Sequence, residues 1–293
     1  MHKAGFVNIV GNPNVGKSTL MNQLVGEKLS IATFKAQTTR HRIMGIVNTE
    51  DTQIVFSDTP GVLKPNYKMQ EMMLQFSESA LADADILLYV TDVVEDPEKN
   101  MDFLEKVSKM SIPVILLINK IDESDQKTLG NLVTKWHGLL PNAEILPISA
   151  KNKFGVDILL KRVHELLPES PAFFDKDQLT DKPAKFFVSE IIREKILRYY
   201  DKEIPYSVEV VVESFKEDDR QIHINAVIYV ERNSQKGIII GHQGMALKKV
   251  STEARKSLER FFDKKIFLET FVKVDKDWRN SQKELKHFGY NPE

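Results

Sequence analysis

The chain is 293 residues long, with 41 Lys and Arg against 42 Asp and Glu and no cysteine. That length allows two domains with a core each, the missing thiols exclude disulfides and thiolate metal sites, and no apolar run approaches the ~20 residues of a membrane-crossing helix. The near-neutral total hides a net −4 over residues 1–180 and +3 over 181–293, so the second half could meet a polyanion. Met1-His2-Lys3-Ala4-Gly5 does not read as a signal peptide, because a strand starts almost at once, and a cytoplasmic location is expected.

Over residues 1–167 apolar runs alternate with helix-period segments, the pattern of an α/β domain covered on both faces of its sheet. Strands are predicted at 5–10, 42–48, 53–57, 86–91, 114–118 and 144–148, and helices at 18–25, 69–82, 98–109, 127–139 and 156–167. A few polar residues join 42–48 to 53–57 as a hairpin, so the six-stranded sheet is mostly parallel with one antiparallel member. Residues 168–184, with Pro168 and Pro171 and a polar run, read as a linker anchored by Phe173 and Phe174. From 185 to 275 the pattern becomes helix (186–200), strand (207–214), strand (221–231), helix-turn, helix (245–262) and strand (266–274), an α+β order. Residues 276–293, with Trp278, Arg279 and Phe288-Gly289-Tyr290, suggest a tail that docks back.

Between the first strand and first helix stands Gly11-Asn12-Pro13-Asn14-Val15-Gly16-Lys17-Ser18, G-x-x-x-x-G-K-S, followed by Thr19. Its glycines permit a tight loop whose N–H groups face phosphates, Lys17 reaches the β- and γ-phosphates, and the Ser18 hydroxyl suits Mg²⁺. Asp58-Thr59-Pro60-Gly61 follows the third strand; Asp58 would meet Mg²⁺ through water and the Gly61 N–H the γ-phosphate. Asn119-Lys120-Ile121-Asp122 follows the strand at 114–118. A buried Asp122 would accept two bonds from the N1–H and N2–H₂ edge of guanine, a donor pair that adenine lacks. Lys120 would lay its stem over the base, Asn119 would tie loops together, and Ser149-Ala150-Lys151 would offer the Ala150 N–H to the guanine carbonyl.

These four motifs, in this order and each after a strand, resemble those of the Era-like branch of translation-related GTPases over about residues 5–167. The resemblance implies hydrolysis of GTP to GDP and phosphate with Mg²⁺. It also implies that Thr39, rather than its neighbour Thr38, is the loop hydroxyl that joins the metal when the γ-phosphate is present. Val62 stands where Ras-like enzymes have a water-orienting glutamine, so slow intrinsic turnover is implied. The branch is associated with a K⁺ ion held partly by an asparagine at the position of Asn14; the other reading of Asn14 is loop stabilisation. The groups expected to act on the reaction are Lys17, Thr39, Gly61 and Asn14.

In the second half, Gly241-His242-Gln243-Gly244 is a G-x-x-G preceded by Ile238-Ile239-Ile240, expected as a buried short helix. The helix after it has Leu247, Val250, Ala254, Leu258 and Phe261 at helical spacing, with Lys236, Lys248, Lys249, Arg255, Lys256 and Arg260 around the loop. Such a turn lets a nucleic-acid backbone approach N–H groups and lysines while an apolar groove takes bases. The order resembles a type II KH domain, which implies single-stranded RNA on Ile240 and the Gly241–Gly244 loop. A GTPase domain followed by such a domain is the layout of the Era family. It implies a bacterial-type ribosome-assembly factor, acting on the small (30S) subunit through the 3′ end of 16S rRNA, monomeric, with peripheral association with the inner membrane. One alternative is a GTPase whose C-terminal domain docks a protein or a membrane; another is a P-loop ATPase, which Asp122 opposes.

Overall fold

The computed structural model describes residues 2–292. They divide into two compact units, one holding nearly all residues up to Asp181 and the other Lys182–Asn291. In the first unit β1 (Lys3–Gly11), α1 (Lys17–Val25), β2 (Ile43–Asn48), β3 (Thr52–Asp58), α2 (Lys68–Ala82), β4 (Ile86–Asp92), α3 (Met101–Ser108), β5 (Val114–Asn119), α4 (Gln126–Leu139), β6 (Glu144–Pro147) and α5 (Val156–Leu166) follow one another. The sheet order is β2-β3-β1-β4-β5-β6, antiparallel only at β2. Both β3 and β4 are buried over their whole length, as their continuous apolar runs require of strands covered on both faces.

Register decides where the chemistry collects. Ile9 pairs with Asp58, Gly11 with Val90 and Asp92 with Asn119, so the loops after β1, β3, β4 and β5 leave one edge of the sheet together. Helix α3 begins at Met101, later than the 98 predicted, because the Asp96 side chain takes the Glu98 N–H into a turn. The segment predicted as a linker is partly bound instead. Gln53 holds the backbone of Phe173 and Phe174, Phe173 stacks 4.9 Å from Phe6, and the Leu179 carbonyl accepts from Ile46 at 2.8 Å. Thr180 and Asp181 bond Met44. Residues 173–181 therefore cover β2, an edge strand whose backbone groups would otherwise be open.

The second unit contains α6 (Ala184–Tyr199), β7 (Glu209–Glu217), β8 (Gln221–Val230), α7 (Asn233–Ile240), α8 (Met245–Phe262), β9 (Lys265–Val274) and α9 (Gln282–His287). Its sheet runs β7-β8-β9, with β8 parallel to β9, and α7 and α8 form the crossover that a parallel pair needs. Strand β7 reaches Glu217 rather than the predicted 214 by absorbing an irregularity between Val212 and Ser214. The expected burial of all three isoleucines before the G-x-x-G does not hold: Ile239 is buried, Ile238 is 49% exposed and Ile240 is intermediate. Successive helical residues lie ~100° apart, so α7 cannot turn all three to one core. In the C-terminal segment Trp278 and Tyr290 are fully buried, and the Tyr290 hydroxyl donates to Glu209 at 2.7 Å.

Candidate functional site

At the phosphate loop, Gly11 and Gly16 have φ of 144° and 98°, and a Cβ on Gly16 would lie 2.2 Å from the Asn119 amide. Neither position tolerates a side chain. Lys17 folds back so that Nζ donates to the Gly11 and Asn12 carbonyls at 3.0 and 2.7 Å. Burial pushes its pKa down to about 8, against the pull of Asp58 and Glu95. Gly61 abuts the loop, and a Cβ there would stand 2.7 Å from the Pro13 Cα. Pro13, Asn14, Thr19, Thr38 and Thr59 line the same cleft.

Ser18, Thr39 and Asp58 converge. The Ser18 hydroxyl lies 2.8 Å from both the Thr39 hydroxyl and Asp58 Oδ2, and Thr39 donates to the same oxygen at 3.2 Å. Thr38 turns away and donates to the Lys35 carbonyl. Asp58 is fully buried, its Oδ1 has no hydrogen-bond partner, and burial raises its pKa. Two hydroxyls and a carboxylate with a free buried oxygen form a hard-oxygen set that fits Mg²⁺. The loop carrying Thr39 is anchored behind by Arg42, whose guanidinium grips Asp83 at 2.7 and 2.9 Å and also reaches Asn8 and Ser57.

Val62 is 4% exposed and packs with Val10, Leu87 and Phe103 in the core, so its side chain does not face the nucleotide position. Only its backbone takes part, donating to the Gly11 carbonyl at 3.0 Å and accepting from Asn100 at 3.1 Å. Ile121 likewise packs against the core. Thr59 is buried, its hydroxyl on the Ile9 carbonyl, and the Pro60 carbonyl accepts from Ser77.

Asn119 ties three loops: its amide nitrogen donates to Val15 at 2.8 Å and its oxygen accepts from the Ala150 N–H at 2.9 Å. That N–H, expected on the guanine carbonyl, is thus engaged by Asn119. Asp122 is exposed rather than buried, because it stands on a single 3₁₀ turn at the sheet rim. Ser149 donates to its Oδ1 at 2.5 Å; among the described residues Oδ2 has no partner. Lys151 is exposed beside it. Lys120 reaches back to the Asn14 carbonyl at 2.7 Å and to Asp92. Asp92 lies outside the four motifs; its only signal in the sequence is a carboxylate closing a buried strand next to that of Asn119.

In the second unit Gly241, Gln243 and Gly244 all have positive φ (70°, 50° and 77°). No atom lies within 4 Å of where a Gly244 Cβ would be, so the turn is open there, whereas a Cβ on Gly241 would stand 2.6 Å from the Ala246 Cβ. Gly244 starts α8 without a side-chain cap; the Met245 N–H bonds the His242 carbonyl, and no cap side chain takes up the first-turn N–H groups that follow. Exposed Ile238 and Met245 flank the loop, and His242, Lys236, Lys248 and Lys249 surround it. Lys249 lies 4.4 Å over the Tyr199 ring, while Arg255 is paired with Glu259 at 2.6 Å.

The fold and this ordered site define a P-loop GTPase domain followed by a KH domain. Residues 6–120 match the model of the 50S ribosome-binding GTPase family and 203–279 that of the KH domain. The chain is 44% identical to the GTPase Era of Clostridium kluyveri, covering 99% of this chain and all of that one, and 47% identical to the GTPase Era of a Geobacter species over 98% of each. Among solved structures it resembles Era in complex with MgGDPNP and nucleotides 1506–1542 of 16S ribosomal RNA, at a TM-score of 0.94, 37% identity and 99% coverage of both chains. It is equally similar (TM-score 0.94, 37% identity, 98% and 99% covered) to a variant of Aquifex aeolicus Era bound to GDP and AlF₄⁻. The chain belongs to the GTPase Era family.

Proposed function

We propose that this chain is a GTP-hydrolysing switch that binds single-stranded RNA at the 3′ end of 16S rRNA and acts in assembly of the small ribosomal subunit. The observation that carries the nucleotide half is the closure of Ser18, Thr39 and Asp58 on one another beside Lys17. Those three would hold Mg²⁺, which when bound neutralises charge on the β- and γ-phosphates. Lys17 is the cation for the phosphates, the Gly61 N–H meets the γ-phosphate, and the Asp122 carboxylate selects guanine. Thr39 follows the γ-phosphate, so its loop orders with GTP and relaxes after hydrolysis. With Val62 turned into the core, no side chain there orients the attacking water, which supports slow intrinsic turnover. Asn14 is exposed, and among the described residues its side chain makes no hydrogen bond. That supports K⁺ binding over loop stabilisation. A hydrolysis rate unchanged on replacing K⁺ by Na⁺ would reject it.

The RNA half rests on the Gly241–Gly244 turn, open at Gly244, and the rRNA bound by the similar Era structure. Replacing Gly241 and Gly244 by Asp should abolish binding of a single-stranded 16S 3′-end oligonucleotide and leave GDP affinity intact. Gly244→Asp alone, at the position with space for a side chain, should weaken RNA binding in the same direction without disturbing the packing of Gly241 on Ala246. Undiminished RNA affinity would reject the assignment. Binding insensitive to salt would favour a protein or membrane partner, because phosphate contacts weaken steeply with ionic strength. Any attachment to the inner membrane is peripheral in this proposal, which is consistent with no helix among the described residues being long and apolar enough to cross.

A further inference from the structure

Asp92 ends β4 beside Asn119, its register partner on β5, and is 4% exposed. Its Oδ1 accepts the Val94 and Glu95 N–H groups at 3.1 and 2.9 Å, and its Oδ2 receives the Lys120 ammonium. The same ammonium donates to Asn14. Lys120 and Asn14 both occupy the left-handed region, at φ of 61° and 67°, a conformation uncommon for lysine and more readily adopted by asparagine. A lysine stem has four carbons and many rotamers, so a fixed wall for a base needs its head tied down.

We propose that Asp92 is a positioning residue for guanine-nucleotide binding. Its buried carboxylate holds the Lys120 ammonium against the phosphate loop, so that the alkyl stem stands as one wall of the base site. The inference rests on the nucleotide reading above and adds a positioning element outside the four motifs. Asp, rather than Asn, is required because only a carboxylate accepts from the turn N–H groups and from an ammonium with full charge. An amide at 92 keeps an acceptor for Val94 and Glu95, so the turn survives while the ion pair is lost.

The test is a titration of GDP and of GTP against the full chain, Asp92→Asn, Lys120→Met and the double variant. Losing one charge-assisted bond should weaken both nucleotides by the same factor, about tenfold, in each single variant. The double variant should be no weaker than Lys120→Met alone, since that change already cuts the tie to Asp92 together with the bond to the Asn14 carbonyl. Wild-type affinity in Asp92→Asn, or losses that multiply in the double variant, would overturn the proposal. Lys120→Met keeps the stem without the ammonium and serves even if Asp92→Asn does not fold; wild-type affinity there would overturn it as well. GDP against ADP binding by the unaltered chain checks the underlying reading separately, and indifference to the base would overturn both.

Discussion

Replacing Asp122 by Asn should turn a guanine site into a xanthine site, and the structure says which way the new amide would face. Ser149 Oγ accepts from the Asn152 N–H at 3.2 Å, so its own proton points to Asp122 Oδ1, 2.5 Å away. With an amide at 122, that proton selects the carbonyl oxygen and leaves the NH₂ on the open side, where Oδ2 now stands. Guanine presents two donors there, and donor would meet donor. The retained oxygen still accepts one guanine donor, so the loss is the charge-assisted bond at the Oδ2 position, about 1.5–3 kcal/mol, which should weaken GDP by at least about tenfold. Xanthine has a carbonyl where guanine has its amino group and would accept from the new NH₂. Competition of GDP and XDP against a fluorescent nucleotide reads the exchange directly. Adding Ser149→Ala frees the amide to flip and should shrink the preference for XDP by about fivefold, the worth of one neutral bond. An Asp122→Asn variant that still prefers GDP would refute this role for Asp122.

Two further outcomes follow from the geometry. Thr39→Ala should weaken the Mg²⁺ dependence of GTP binding by about tenfold or more and leave GDP binding little changed, whereas Thr38→Ala, whose hydroxyl bonds the Lys35 carbonyl within the loop, should leave the Mg²⁺ dependence intact; a Mg²⁺ titration of both variants decides. Lys17, with its pKa lowered from 10.5 to about 8, should regain its proton when phosphates arrive. Calorimetry in buffers of different ionisation enthalpy should then show uptake of about 0.7 proton per GDP at pH 8.5 and under about 0.2 at pH 7, and no uptake at pH 8.5 would contradict the buried placement. The same shift leaves the unfolded chain holding more protons between about pH 8 and 10.5, so Lys17 makes stability rise with pH across that window.

Much of the site was legible because its groups act where the chain places them locally. The Gly11–Ser18 loop works through its own backbone, and Asp58 and Asn119 each close a strand whose apolar run could be read directly. What was illegible depends on neighbours far away in sequence. Asp122 proved exposed because burial is set by what surrounds a rim turn, and the Ala150 N–H is engaged because Asn119 reaches it across 31 positions. Helical spacing marks the face of α8 but does not say which of Ile238, Ile239 and Ile240 the second core takes.

The sequence by itself determined the reaction class and its order of parts: phosphate loop, metal carboxylate, base-reading Asp and G-x-x-G turn. These motifs need particular residues at short spacing, and no packing can supply a missing Gly16 or Lys17. Tertiary structure alone decided that Val62 faces the core, that residues 173–181 seal the β2 edge, and that Asp92 holds Lys120. Each of those depends on strand register and on distances between segments tens of residues apart, and a local pattern does not encode them.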